Sequence, residues 1–103
     1  MAAMPASAES RPLPEVVHDS ARQRFVADID GHECLCVYRR DGQTVYFTHT
    51  EVPPALQGRG LAAHLVRAAL AWARDERLAV QPRCSYVAAY LRRHPEAAQT
   101  TAS

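Results

Sequence analysis

The sequence predicts an α+β (mixed α/β) fold: an antiparallel β-meander, then a β-α-β unit, then a second helix. Three observations predict it. Two Asp-Gly pairs, Asp30-Gly31 and Asp41-Gly42, divide the first half into strand-like runs. Pro53 and Pro54 end that pattern. From Leu61 the apolar side chains recur at spacings of three and four, a helical period rather than the alternation of a strand.

Asp-Gly is the strongest short hairpin signal, because both central residues of a type I′ turn need positive φ. The runs it separates are about Glu15–Val17 leading into Arg24–Ile29, then His32–Arg39, then Thr44–Val52. Proline cannot donate to a sheet ladder, so the last of these finishes at Pro53-Pro54. Leu61, His64, Leu65, Ala68, Ala69 and Trp72 form the apolar stripe of a helix ending near Arg77, with Trp72 in the core and His64 at its edge. Leu78–Val80 reads as a short buried strand stopped by Pro82, and Cys84–Arg93 as a second helix broken by His94-Pro95. A right-handed crossover lays the last strand parallel to Thr44–Val52, giving a mixed sheet that carries two helices.

At 103 residues the chain makes one small domain, able to bury about two thirds of its unfolded surface. Residues 1–14 are rich in Ala, Pro and Ser with few large apolar side chains, so a loose tail is expected there, with the domain over 15–96 and a frayed end over 97–103. No apolar run is long enough for a membrane span or signal peptide, which favours a cytoplasmic protein without membrane partners. All twelve basic residues are Arg, set against eleven acids for a net charge of +1. That balance argues against nucleic acid as a partner, since neutralising several phosphates needs a basic excess. Cys34, Cys36 and Cys84 form neither an even-numbered framework nor a paired CxxC set, so reduced thiols and no metal are expected. His32, Cys34 and Cys36 alternate along one strand, where ligands about 7 Å apart per pair of residues cannot close a tetrahedral shell.

The turn "QGRG", Gln57 to Gly60, stands at the mouth of the first helix. A helix start leaves backbone N–H groups without partners and carries partial positive charge, so phosphates bind there readily. Gly58 and Gly60 remove the Cβ atoms that would keep an anion away, and Arg59 adds a charge at the rim. No Lys-Ser or Lys-Thr pair follows, which excludes a Walker loop, and the glycine pattern is too short and too late in the chain for a dinucleotide fingerprint. Taken alone, the glycines fit a tight strand-to-helix turn equally well.

"QGRGLA" matches the Q/R-x-x-G-x-G/A motif of the GNAT acetyltransferase superfamily, between strand and helix where that superfamily has it. More closely, "HTEVPPALQGRGLAAHLVRAAL" and "PRCSYVAAYLRRHPE" resemble its short YjdJ-like branch, a likeness covering roughly Val16 to Glu96. The resemblance implies a minimal GNAT-like fold. It implies acetyl-CoA as co-substrate, its pyrophosphate on the amides of Gly58, Arg59, Gly60, Leu61 and Ala62, with Gln57 opening the turn and backbone around Val52 receiving the pantetheine arm. It also implies an N-acetyltransferase whose acceptor is an amine: a protein lysine, a polyamine or a small amine.

Acetyl transfer needs a neutral amine, and at pH 7 deprotonating a lysine costs about 4.6 kcal/mol against about 1.4 for an α-amine. His49 and Glu51 lie two apart on the last meander strand and project from one face just before the turn, as a base or amine-orienting pair or as a solvated edge pair. Cys84 opens the second helix, where the helix dipole and Arg83 favour a thiolate; in the short branch this "CSYV" cysteine is the suspect for catalysis, and the other reading is a small apolar packing residue. Many members use a tyrosine on this helix to protonate departing CoA, and Tyr90 is the nearest match, although the Asn that precedes it in them is absent. Arg92-Arg93-His94 reads as a grip on the 3′-phosphate or as a solvated helix end. A chain this short lacks the helices that wall the acceptor side in longer members. The acceptor side is therefore open or completed by a partner subunit, which is compatible with a homo-oligomer, and a non-catalytic acyl-CoA-binding module is the alternative.

Overall fold

The computed structural model describes residues 13–97, so the tails expected over 1–14 and 97–103 lie almost entirely outside the described residues. Five strands form one sheet: β1 (Val17–Asp19), β2 (Arg24–Ile29), β3 (His32–Asp41), β4 (Thr44–Glu51) and β5 (Ala79–Pro82). They lie in chain order, antiparallel up to β4, with β5 parallel to β4. The crossover is helix α1 (Leu61–Asp75), and helix α2 (Ser85–Arg93) follows β5. The fold is the small α+β arrangement that the sequence predicts.

Each hairpin turn has two residues, but the two turns differ. Asp30 and Gly31 both have positive φ (53° and 79°), as type I′ requires. At the second turn Asp41 still pairs with Thr44, so Gly42 and Gln43 make the turn and positive φ (61°) falls on Gly42. This second geometry belongs to type II′, one residue along from where the Asp-Gly signal puts it.

Sheet and helices meet on one face. Phe25, Cys36, Val45 and Phe47 from the sheet pack with Leu65, Val66 and Ala69 from α1 and Val87 from α2, all within 3% of full burial. The side chains alternating with them, Val26, Leu35 and Val37, are half-exposed, as expected for a sheet with one covered face. Cys34 and Cys36 are in this core while His32 is exposed. The helix α1 ends in a Schellman pattern, with Arg77 N–H donating to the Arg74 carbonyl (3.0 Å) and Leu78 N–H to that of Ala73 (2.9 Å). Arg77 takes the left-handed position there at φ 60°, and Leu78 is driven fully into the core.

Several boundaries shift from the sequence reading: β3 runs on to Asp41 rather than Arg39, β4 stops at Glu51 rather than Val52, α1 ends at Asp75 rather than near Arg77, and α2 starts at Ser85 rather than Cys84. The first strand is Val17–Asp19 rather than Glu15–Val17, because His18 is the residue that locks it to the core. Its ring stacks on Phe25 (4.2 Å between centroids) and meets Trp72 edge-on (4.8 Å), and its Nε2 lies 2.6 Å from the Tyr38 hydroxyl. On the other face Arg24 Nε lies 3.4 Å from the Asp19 carboxylate. The last strand is Ala79–Pro82 rather than Leu78–Val80. Ala79 and Arg83 N–H donate toward β4, onto the Gln43 and Phe47 carbonyls, so by alternation Val80 and Pro82 turn to the open edge and the missing proline donor costs no rung.

Burial holds the His18 imidazole below its ordinary value, against the raising pull of Asp19 and Glu76. The folded protein therefore binds fewer protons at this site than the unfolded chain. The stability this contributes is complete above the ordinary histidine value of about 6.5 and is lost as pH falls through the lower folded-state value. Between about pH 7.5 and about pH 5 the melting temperature of the wild type is expected to fall more steeply than that of His18→Phe, which keeps the stacked ring but cannot titrate. Parallel profiles would show that His18 is not the linked group.

Candidate active site

The site begins where the sheet divides. β4 and β5 pair only from Thr44 and Ala79 to Phe47 and Pro82. Arg83 and Cys84 N–H then both donate to the Phe47 carbonyl, at 3.0 and 2.8 Å, and the parallel ladder stops. Cys84 leads straight into α2, while β4 continues to Glu51 paired only with β3. One side of β4 after Phe47 is thus left without a strand neighbour, and the two strands splay.

A bulge decides which side chains face the opening. Val37 pairs with His49 but Tyr38 pairs with Phe47, so Thr48 has no partner and the facing of β4 shifts by one residue. Val45 and Phe47 point to the helices, and simple alternation would send His49 and Glu51 after them. The bulge puts Thr50 and Val52 on the helix side instead, both half-buried, and leaves His49 and Glu51 exposed on the other. As the sequence reading has it, those two share a face: His49 Nε2 and Glu51 Oε1 are 3.4 Å apart, each side chain more than half exposed.

Beyond β4 the chain turns through a 3-10 segment, Pro54–Leu56, whose Leu56 is buried and anchors the loop. Gln57 Nε2 donates to the Val52 carbonyl at 3.0 Å, tying the loop back to the strand end. Gly58 and Gly60 both have positive φ, 87° and 78°, where an L side chain is strained. An added Cβ at either would meet no protein atom within 4 Å, so conformation calls for glycine here, and the space before the amides is open. Gly60 is the N-cap of α1; no side chain caps the helix, and its first turn holds no acid. The His64 amide is the first to find an intrahelical carbonyl, that of Gly60 at 3.0 Å. Leu61 is buried, so only its backbone can contribute, and the exposed Arg59 does not line the cleft.

These pieces border a cleft of about 400 Å³ between Thr50 of β4, Val52 just beyond its end, the loop from Leu56 to Ala62, and Tyr86 of α2. Cys84, the N-cap of α2, adjoins it through Thr50, with Sγ 3.4 Å from Thr50 Oγ1. Burial alone would push this thiol up, but the Thr50 hydroxyl and the backbone N–H groups of Val87, Tyr86 and Thr50 more than offset it, and the thiol lies below its ordinary value. Arg83, the expected helper, is turned away: its guanidinium lies over the Tyr46 ring, 5.1 Å from the centroid. The other two cysteines behave oppositely. Burial raises Cys34, and it pushes Cys36 up to about 12.

The two tyrosines of α2 lie apart. Tyr86 lines the cleft, its hydroxyl raised by burial and by Tyr90 and lowered by Arg93 and Arg67. Tyr90 lies further along α2, with its ring 4.5 Å from that of His94, beside a separate depression between the two helices that Arg67 and Arg74 also line. The structure thus brings Val52, Gln57, Gly58, Gly60, Ala62 and Cys84 together, with His49 and Glu51 on the reverse of the same strand. Thr50 and Leu56 line the cleft without having been singled out in the sequence, and Tyr86 lines it in place of Tyr90. Nothing but the bulge distinguishes Thr50 from its neighbours. Among the described residues no group of three His, Cys, Asp or Glu assembles into a metal-binding set.

Residues 24–100 match the family model of the GCN5-related N-acetyltransferases. The chain belongs to that family. Human Protein NATD1 is 36% identical over 98 residues, covering 91% of this chain and 87% of its own. The NATD1 of Xenopus tropicalis is 37% identical over 83 residues, covering 78% and 76%. The solution structure of a GCN5-like protein from Staphylococcus aureus superposes with a TM-score of 0.65 at 23% identity, covering 81% of this chain and 82% of that one. At that identity the likeness speaks for the fold alone. The membership makes the splayed strands and the uncapped glycine turn of this acetyltransferase domain its candidate catalytic region.

The three thiols give a direct check on this geometry. Iodoacetamide at neutral pH is expected to alkylate Cys84 first, with Cys34 and Cys36 reacting only on unfolding, as followed by peptide mass mapping. Labelling of all three at one slow rate would mean that Cys84 is as sealed as the others.

Proposed function

We propose that this protein transfers an acetyl group from acetyl-CoA to an amine, and that it is a minimal member of its family akin to the short YjdJ-like branch. The observation that carries the reading is the uncapped, acid-free start of α1 behind Gly58 and Gly60, opening onto the cleft where β4 leaves β5. Free amides from Gly58 to Ala62 suit the diphosphate of CoA, and charge-assisted hydrogen bonds of about 1.5–3 kcal/mol each would anchor it. The unpaired side of β4 up to Val52 offers main-chain groups to the peptide-like pantetheine arm. For that, the Gln57 amide must share or release the Val52 carbonyl it now holds. Arg67 and Arg93, near the Tyr86 hydroxyl at the rim, are placed to meet further phosphate charge.

The acetyl thioester then lies between Thr50 and Cys84 on one side of β4 and the His49–Glu51 pair on the other. His49 takes the proton of the incoming amine, with Glu51 stabilising the imidazolium. The amine nitrogen bonds to the thioester carbon, the C–S bond breaks, and the electron pair leaves on sulfur. Two routes share this geometry: direct attack, or prior transfer of the acetyl group to the Cys84 thiolate. Three free thiols suit a reducing compartment, so we place the protein in the cytoplasm. The second reading, a non-catalytic acyl-CoA-binding module, is favoured by the exposure of His49 and Glu51, which no described element covers.

The test incubates purified protein with labelled acetyl-CoA and a panel of amines while following CoA thiol release. Amine-dependent release is expected, with His49→Gln lowering turnover at saturating co-substrate about 10²-fold. Gly60→Glu, which sets a strained carboxylate before the amides, is expected to weaken acetyl-CoA binding at least tenfold by calorimetry. Binding without release would establish the module, and unchanged affinity in Gly60→Glu would remove the turn from the site.

A further inference from the structure

Thr50 touches the two cysteines that differ most in ionisation. It is the cross-strand partner of Cys36 on β3, and its hydroxyl lies 3.4 Å from Cys84 Sγ across the splay. Both contacts are on the helix side of the sheet, where Cys36 is fully buried and Thr50 and Cys84 are half-buried. A hydroxyl has one proton to give and lone pairs to receive. It therefore cannot donate to both sulfurs at once.

We propose that Thr50 is the positioning residue for Cys84, the middle of a hydrogen-bond chain that runs from Cys36 S–H to the Thr50 oxygen and from Thr50 O–H to the Cys84 thiolate. The proposal rests on the reading that Cys84 meets the thioester. The direction of the chain follows from burial. Cys36, pushed up to about 12, keeps its proton at any working pH, so toward the hydroxyl it acts as donor. That leaves the hydroxyl proton for Cys84, where backbone N–H groups of Thr50, Tyr86 and Val87 also converge. Other charged groups stand elsewhere. Arg83 lies over Tyr46, His49 and Glu51 face the far side of β4, and Arg67 and Arg93 bear on the Tyr86 hydroxyl. The ionisation of Cys84 thus depends on neutral hydrogen bonds, and Thr50 supplies the one that comes from a side chain.

The test is the pH profile of iodoacetamide alkylation at Cys84, read by peptide mass mapping in protein without any CoA compound. Thr50→Val keeps the volume and removes the hydroxyl; its midpoint is expected to rise by about one pH unit, a tenfold slower alkylation at neutral pH. Thr50→Ser is expected to restore the wild-type profile. An unmoved midpoint in Thr50→Val overturns the proposal. Cys36→Ala leaves Thr50 in place and gives an independent reading should Thr50→Val not fold: alkylation slowed several-fold supports the chain, and an unchanged rate overturns it. Because no acetyl donor is present, failure of the acetyl-transfer assay and failure of this titration are separate results.

Discussion

The carbonyl of Phe47 is the point on which the architecture turns. It accepts two N–H groups, from Arg83 and Cys84, and so closes the parallel ladder at a defined residue. Before it, β4 and β5 are ordinary neighbours sealing the core. After it, β4 has a free side, β5 has become a helix, and the residues that could carry chemistry line the gap. The bulge at Thr48 follows immediately and fixes which of those residues look toward the helices. Without the bulge, simple alternation would put His49 and Glu51 in the cleft in place of Thr50 and Val52.

The electrostatics of the cleft come mainly from the main chain. Both helices begin nearby: α1 at Gly60 leaves its first amides unpartnered at the cleft, while the first amides of α2, those of Tyr86 and Val87, bond to the Cys84 sulfur beside it. A protein with a net charge of only +1 thus draws the positive potential of its cleft from peptide groups rather than from side chains. Fixed peptide dipoles need no flexible cation to be ordered first. The arginines around the cleft are accordingly at its rim or turned away, as Arg59 and Arg83 are.

Most of the fold was legible because it depends on local signals. Asp30-Gly31, the two prolines after β4 and the three-four spacing from Leu61 each impose a conformation that few other sequences tolerate. The glycine turn was legible for the same reason, since positive φ at Gly58 and Gly60 is a backbone demand that composition reveals. What escaped was set by tertiary contact. His18 draws β1 two residues along the chain by stacking on Phe25 and Trp72. The bulge that makes Thr50 a site residue has no glycine or proline to mark it. Arg83 follows Tyr46 rather than its sequence neighbour Cys84, and Arg77 adopts a left-handed turn that favours glycine because Leu78 must enter the core. Which of Tyr86 and Tyr90 reaches the cleft depends on the rotation of α2, which the periodicity of nine residues leaves loosely defined.

The outer edge of β5 carries one more consequence. Of its four residues, Val80 and Pro82 turn their backbone groups to the open side, and only Val80 has an N–H to offer. A foreign strand laid along this edge would gain a single donor before meeting the proline ring, too little to nucleate a continuous ladder. An open parallel edge is thereby a poor template for a further strand where Pro82 stands.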